Sequence, residues 1–175
     1  NLAAGKSHIE TALRLNPDCY EAQLYAGYLD IGNHDFAAAI KHFEAAIALD
    51  PNAYTPSGMV IQAYAGIGDK PKADAAARRL VALCERLLAV EPDHGGALGA
   101  MSLALAQLGQ ADRAREWARR AMLLDPENVR LLYNLACGMA KLQDVEAACD
   151  ILENLFSRVE PGYLLWLDRD NDFDA

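Results

Sequence analysis

The fold is decided by a stretch that the chain holds at residues 37–52, AAAIKHFEAAIALDPN. Ala39, Phe43 and Ala46 are spaced by four and three residues, which places them on one face of a helix. Pro51 ends that helix, because proline lacks the N–H that a helix interior needs, yet it is tolerated in the first turn of a new helix. The stretch therefore predicts an apolar helix face, a stop and a new start.

A proline that ends one helix and precedes the next recurs along the chain. Prolines stand at positions 17, 51, 92 and 126, at intervals of 34, 41 and 34 residues. Ten residues after each proline lie Gly27, Ile61, Ser102 and Ala136. A recurring interval near 34 residues is typical of repeats that each form a helix–turn–helix unit. The small residues in this column indicate two antiparallel helices that approach each other closely.

Tight turns separate the paired helices. Three of them contain glycine, at residues 31–35, 67–71 and 108–112. Glycine adopts a positive φ without strain, and the polar residue that follows can cap the next helix. The fourth turn, Leu142-Gln143-Asp144, lacks glycine, so we expect a backbone cost there.

This pattern closely resembles the tetratricopeptide repeat family. The residues that carry the resemblance, beside the 34-residue interval, are Gly27, Ser102, Ala136, Ala39, Phe43, Ala46 and Pro51. The resemblance implies an all-α fold, a right-handed superhelical solenoid of antiparallel helix hairpins. It also implies a protein-binding scaffold that is not an enzyme.

We predict a single domain over residues 1–175. Its parts are a half repeat at 1–18, repeats at 19–52, 53–93, 94–127 and 128–160, and the start of a C-terminal cap at 161–175, with a short helix near 161–168. The repeat at 53–93 is seven residues longer than the others, which corresponds to two helical turns, and we assign them to its second helix, 72–90. The next helix contains Gly95, Gly96 and Gly99, either for tight packing against this long helix or for backbone access by a ligand.

Composition and charge narrow the function. The net charge is −9, and the arginines interleave with acidic residues, so we expect no nucleic acid partner. No run of 18 apolar residues is present, so we expect no membrane-spanning helix and a cytoplasmic protein. Cys84, Cys137 and Cys149 lie among small and apolar residues, which predicts buried core residues in a reducing compartment.

Residues that could perform chemistry do not form a recognisable constellation. The sequence has no phosphate-binding glycine loop and no His-Glu-x-x-His motif, and its four histidines are scattered. Residues 168–172 copy the start of a calcium loop, but Phe173 stands where glycine is required. We therefore expect no catalytic residues, no metal and no cofactor.

A partner surface is expected on the concave side of a repeat array, which the first helices line. One face of these helices presents Leu24, Tyr28, Met59, Gln62, Leu103, Arg130, Tyr133, Asn134 and Lys141. Tyrosine, methionine and arginine are enriched at interfaces, although some of these residues could merely pack within a hairpin. The set lacks the full Lys/Asn clamp of repeats that bind chaperone tails. Its apolar character instead favours an extended apolar segment or a helix as the ligand.

Three segments resemble a narrower group, the repeat regions of bacterial class III adenylate cyclases and of TolB-like or winged-helix regulators. They are residues 115–121, 132–137 and 163–175. The resemblance implies the regulatory part of a larger bacterial signalling protein, which binds a peptide or helix or pairs with another copy. The alternative is a purely structural repeat region that packs against another domain of its own chain or mediates self-association.

Overall fold

The structure, a computed structural model, describes residues 2–159, with side chains from residue 5 onward except that of Arg130. The described residues form α-helices and no strand, which confirms the predicted all-α class. The helices are α1 (Leu2–Leu15), α2 (Tyr20–Gly32), α3 (Phe36–Leu49), α4 (Tyr54–Gly66), α5 (Lys70–Val90), α6 (Gly95–Gln107), α7 (Ala111–Leu124), α8 (Val129–Lys141) and α9 (Val145–Phe156). The predicted short helix near 161–168 lies outside the described residues.

The helices fall into two compact units, of which the first extends to Ala73 and the second begins at Asp74. In the first unit α1 packs on α2, α2 on α3, and α3 on α4. In the second unit α6 packs on α7 and α8 on α9, while α8 also contacts both α6 and α7. Each unit is therefore built from helices that pack on their neighbours in the chain.

Prolines and polar caps set the ends of the helices. The second helices α1, α3, α5 and α7 each end two residues before a proline, as the sequence predicts. Side chains of Asp35, His94 and Asn128 accept hydrogen bonds from backbone N–H groups in the first turns of α3, α6 and α8. Such caps satisfy donors that have no partner inside the helix and stabilise it by about 1 kcal/mol each.

The turns inside the hairpins each use a residue with positive φ. Gly68 and Gly109 adopt φ values of 72° and 70°, and Gln143 adopts 57° without being a glycine. The first turn differs from the prediction, because Gly32 lies inside α2 and His34 takes the positive φ of 58°. All four residues stand 17 positions after a proline, so the register of the repeat, not the glycine, selects this position. The left-handed conformation costs roughly 1–2 kcal/mol at a residue with a side chain.

Small residues let the helices pack closely. A Cβ on Gly27 would lie 2.5 Å from Cε1 of Phe43, whose ring is fully buried between α2 and α3. In the second unit, Ser102 donates a hydrogen bond from its buried hydroxyl to the carbonyl of Ala114, 2.9 Å away, and so links α6 to α7. The column of small residues therefore sets the separation of the two helices in these hairpins.

The irregular repeat is visible in α5 and α6. Helix α5 has 21 residues, whereas α3 and α7 have 14, so the two additional turns predicted from the 41-residue interval are present. On α6, a Cβ at Gly99 would overlap Cδ1 of Leu131, which belongs to α8. Tight packing therefore explains Gly99, but the helix that presses on it is α8.

The cysteines divide into two groups. Cys84 and Cys137 are buried as predicted, and burial raises the pKa of the Cys84 thiol to about 12, which keeps it protonated and unreactive. The prediction for Cys149 was wrong, because this residue is exposed. The buried stripe of α9 runs through Ala148, Ile151 and Leu155, and Cys149 lies outside it.

A substitution at Gly27 tests how tightly this packing is set. We expect Gly27→Ala to lower the free energy of unfolding by roughly 1–3 kcal/mol, since the new methyl group overlaps the Phe43 ring. Gly5→Ala on α1 is the matched control, because nothing lies within 4 Å of its added Cβ. The control should be neutral or slightly stabilising. Urea denaturation of both variants measures the difference, and equal effects would contradict the packing argument.

Candidate partner-binding surface

In the second unit, the first helices α6 and α8 lie side by side. They are held together where Leu131 of α8 fills the space over Gly99 of α6. Most residues of both helices are buried, and those that stay half-buried include residues able to contact a partner. We define the α6–α8 surface as Leu103, Gln107, Tyr133, Asn134 and Lys141. It combines the side chains of a leucine and a tyrosine with two side-chain amides, those of Gln107 and Asn134, and a lysine.

Four of the residues predicted for the second unit belong to this surface: Leu103, Tyr133, Asn134 and Lys141 are all half-buried. The predicted Arg130 side chain lies outside the described part of the structure. Sequence reasoning missed Gln107, whose amide donates a hydrogen bond to Asp74 Oδ1 at 3.0 Å. The repeat register could have found it, because Gln107 stands 34 positions before Lys141.

In the first unit, packing within the unit covers part of the surface of the residues predicted to bind a partner. Tyr28 is half-buried, and its ring meets the Phe43 ring edge to face at a centroid distance of 5.9 Å. Sequence reasoning missed Tyr25, which is exposed. Its ring centroid lies 6.3 Å from that of Tyr28. On α4, Gln62 is buried, with only 9% of its surface exposed.

The remaining predicted residues of the first unit, Leu24 on α2 and Met59 on α4, are half-buried. Together with Tyr28 they could touch a partner, whereas the burial of Gln62 makes it the least suited of the four. Whether any predicted residue binds a ligand stays a prediction.

Comparison with known proteins agrees with this architecture. Residues 96–128, which contain nearly all of α6 and the whole of α7, match the family model of the tetratricopeptide repeat. The chain has the tetratricopeptide repeat fold. No curated protein matches the sequence.

Solved structures with this fold include the thermophilic tetratricopeptide protein TTC0263 of Thermus thermophilus, at 15% identity and a TM-score of 0.63. That match covers 95% of this chain and 88% of the other. MamA of Desulfovibrio magneticus RS-1 has 18% identity and a TM-score of 0.49, covering 86% of this chain and 81% of its own. YrrB, described as having an unusual peptide-binding site, has 16% identity and a TM-score of 0.43, covering 91% and 96%. At 15% identity the likeness to TTC0263 concerns the fold alone.

An ion pair supports the end of the α6–α8 surface. Arg115 on α7 donates from Nε to Asp144 Oδ2 at 2.7 Å, and Asp144 also accepts from the N–H of Ala147 at the start of α9. The hydrogen bond from Arg115 lowers the pKa of Asp144, and partial burial opposes this effect. Because Asp144 lies three residues after Lys141, the pair anchors the turn that ends α8.

A second polar cluster joins the helices of the first unit. Gln23 donates from Nε2 to the Pro17 carbonyl at 2.7 Å, so its Oε1 must accept from His42 Nδ1, also at 2.7 Å. The other ring nitrogen of His42 faces Asp30 Oδ2 at 3.7 Å. Burial raises the pKa of Asp30, and the nearby His42 acts in the opposite direction. This network ties the loop before α2 to α3 and has a structural role.

Two classes of site are not found in the described part of the chain. No three His, Cys, Asp or Glu side chains within residues 5–159 are grouped so that they could hold a metal ion. Over the same part of the chain, no helix has both the length and the apolar character that crossing a membrane requires.

The ion pair predicts a pH-dependent stability. Asp144→Asn removes the charge but keeps a side chain that can cap α9. Since the folded pKa of Asp144 lies below its ordinary 3.8, the carboxylate stabilises the fold above that value, and this contribution is lost as the pH falls through the folded pKa. We expect the variant to be less stable than wild type at neutral pH and equally stable in acid.

Urea denaturation over a series of pH values measures this difference. Asp112→Asn is the control, because Asp112 is fully exposed and lies 3.6 Å from Arg115, too far for a hydrogen bond. A difference between Asp144→Asn and wild type that stays constant with pH would show that the charge is unimportant.

Proposed function

We propose that this chain is a protein-interaction module, not an enzyme, and that it binds an apolar peptide or a helix of a partner on the α6–α8 surface. The observation that carries the proposal is the position of Leu103 and Tyr133 on two helices that pack side by side. Tyrosine is enriched among the residues that dominate binding energy. The polar Gln107, Asn134 and Lys141 provide groups for a rim around this apolar pair.

The support under this surface favours binding without rearrangement. Leu131 packs over Gly99, and the Arg115–Asp144 ion pair anchors the turn after α8. A surface that is ordered before binding loses less conformational freedom when the partner arrives. The face between two neighbouring first helices suits an extended segment or an amphipathic helix.

The net charge of the chain favours some classes of partner over others. The chain has a net charge of −9, so long-range electrostatics favour neutral or basic partners over acidic ones. We include Leu24, Tyr28 and Met59 of the first unit, and Arg130 of the second, as further candidate contacts. Gln62 is the weakest of the candidates, because it is buried.

We further propose a cytoplasmic setting, as the regulatory part of a larger bacterial signalling protein. The support is the resemblance of residues 115–121, 132–137 and 163–175 to repeat regions of class III adenylate cyclases and of TolB-like or winged-helix regulators. The sequence of the complete gene product tests this directly. A cyclase or winged-helix domain in the same polypeptide would support it, and a polypeptide without any signalling domain would oppose it.

Peptide selection on the purified chain tests the binding function. Peptides are selected from a random display library, and the dissociation constant of the strongest binder is measured by calorimetry. We expect Tyr133→Ala and Leu103→Asp each to weaken binding by about tenfold or more, since each removes a central apolar contact. Leu123→Asp is the matched control, because Leu123 is 84% exposed on α7, outside the α6–α8 surface.

The control variant should bind as tightly as wild type. Equal affinity of all four proteins would place binding elsewhere, and a loss confined to Leu123→Asp would move it to the second helices. Circular dichroism of each variant shows that the helices persist.

The alternative is a structural role, in which the repeats self-associate or pack against another domain of their own chain. It is supported by the exposed apolar residues at the ends of second helices, such as Val90 and Leu123 in the second unit. Sedimentation equilibrium tests the self-association. A dimer that Leu123→Asp converts to a monomer would favour this alternative, whereas a monomer at all concentrations would exclude self-association.

A further inference from the structure

His42 on α3 lies against two polar residues of α2. Gln23 stands near the start of α2 and Asp30 near its end, seven residues apart, which places them on one face of the helix, two turns from each other. The imidazole of His42 reaches both residues, because Nδ1 lies 2.7 Å from Gln23 Oε1 and Nε2 lies 3.7 Å from Asp30 Oδ2. Phe43, the next residue of α3, meets Gly27, which stands between Gln23 and Asp30 in the sequence. The ring therefore contacts α2 on both sides of the close contact between the two helices.

The directions of the hydrogen bonds fix which ring nitrogen carries a proton. The carbonyl of Pro17 can only accept, so the amide nitrogen of Gln23 faces it at 2.7 Å. The amide oxygen of Gln23 then faces His42 Nδ1, which must donate. In the reverse arrangement, the amide oxygen would stand against the Pro17 carbonyl, and two acceptors would meet at hydrogen-bond distance. Nδ1 of His42 is therefore protonated, and in a neutral ring Nε2 carries only a lone pair.

This lone pair would face an oxygen that also lacks a donor. Asp30 Oδ2 is buried and has no hydrogen-bond partner among the described residues. An ionised Asp30 beside a neutral His42 would thus bring two acceptors together with no hydrogen between them. One added proton removes this repulsion, either on Nε2, which gives an ion pair, or on the carboxyl group, which then faces the lone pair. Both forms hold the same number of protons, so the proton belongs to the pair.

Burial and two nearby charges act on Asp30. Burial has the largest effect and raises the pKa of the carboxyl group, and the positive charge of His42 opposes it. Asp35 in the turn after α2 also raises this pKa, whereas Lys6 on α1 lowers it. The environment of Asp30 therefore favours the state in which the pair holds a proton.

The other titratable groups around the pair are exposed or engaged elsewhere. On α3, Lys41 is exposed, and Glu44 accepts a hydrogen bond from Tyr64 of α4 at 3.1 Å. The second titratable residue of α4, Tyr54, stands in its first turn. The titratable side chains that remain on α1, on α2 and in the loops that flank α2 are exposed to water, which screens them: His8, Glu10, Arg14, Asp18, Glu21 and His34. The half-buried Cys19 and Tyr20 complete this set.

We propose that Asp30 and His42 share one proton at neutral pH, and that loss of this proton as the pH rises loosens the contact between α2 and α3. Leu24 and Tyr28 stand on α2 between Gln23 and Asp30 in the sequence. These candidate partner contacts of the first unit thus belong to a helix whose packing depends on the shared proton. The proposal goes beyond the proposed function and does not depend on it, because its tests require no partner.

The direction of the pH effect follows from proton binding. Above about pH 6.5, the ordinary pKa of histidine, an unfolded chain loses the protons of both side chains. The folded pair still holds one proton there. Because the state that binds more protons is favoured at lower pH, the stabilisation is fully present below about pH 6.5. It is lost as the pH rises through the value at which the folded pair releases its proton.

Urea denaturation between pH 6 and pH 8.5 tests the proposal. We expect the ratio of folded to unfolded wild-type protein, relative to the same ratio for Asp30→Asn, to fall about threefold or more over this range. The substitution supplies an amide N–H that can donate to the neutral Nε2, so the variant requires no shared proton. His8→Gln is the matched control, because His8 is exposed on α1 and its loss should leave the decrease unchanged. An equal decrease in wild type and Asp30→Asn, or its disappearance in His8→Gln, would overturn the proposal.

Nitrogen NMR of the imidazole rings in the wild-type chain gives a second test that requires no variant to fold. At pH 7 we expect Nδ1 of His42 to be protonated, with Nε2 either protonated as well or beside a protonated Asp30 carboxyl group, which carbon spectra of labelled aspartate detect. A neutral ring with its proton on Nε2 would overturn the proposal, because the ring would then donate to Asp30 without an added proton. A neutral ring beside an ionised Asp30 would also overturn it, since no proton would then be shared.

Discussion

The structure depends on how closely the two helices of a hairpin can approach. In the first unit, the Phe43 ring occupies the space that a side chain on Gly27 would need. A large side chain on α3 therefore faces a residue without a side chain on α2. In the second unit, the small Ser102 allows α6 to come near enough to α7 for its hydroxyl to reach a backbone carbonyl. Close-packed interiors tolerate little change in volume, so these positions restrict the rest of the hairpin.

A single hairpin cannot bury all of its apolar surface, and the second unit shows the consequence. α8 contacts both helices of the preceding hairpin, and Leu131 enters the gap over Gly99. In repeat proteins, stability comes from each unit and from the interface between neighbours. On α9, after which no further helix is described, Leu152 stays half-buried and Phe156 exposed.

The irregular features of the array have separate physical causes. Helix α5 is longer because seven residues were added, and no proline or glycine after Pro71, in its first turn, interrupts the helix. The glycines of α6 lower helix propensity by roughly 1 kcal/mol each relative to alanine, and contact with α8 offsets this at Gly99. The backbone cost at His34 and Gln143 is offset in a similar way, because the hairpins need a tight turn there.

Local pattern alone determined where the helices begin and end, since prolines, caps and helical spacing act within a few residues. For this reason the sequence predicted the length of α5, the burial of Cys84 and the close approach of two helices at Gly27. Only the tertiary structure decided which residues on a predicted face stay accessible. Gln62 is buried, the half-buried Tyr28 packs its ring against Phe43, and Cys149 is exposed. Accessibility depends on what the neighbouring helix covers, and that contact is made by residues distant in the sequence.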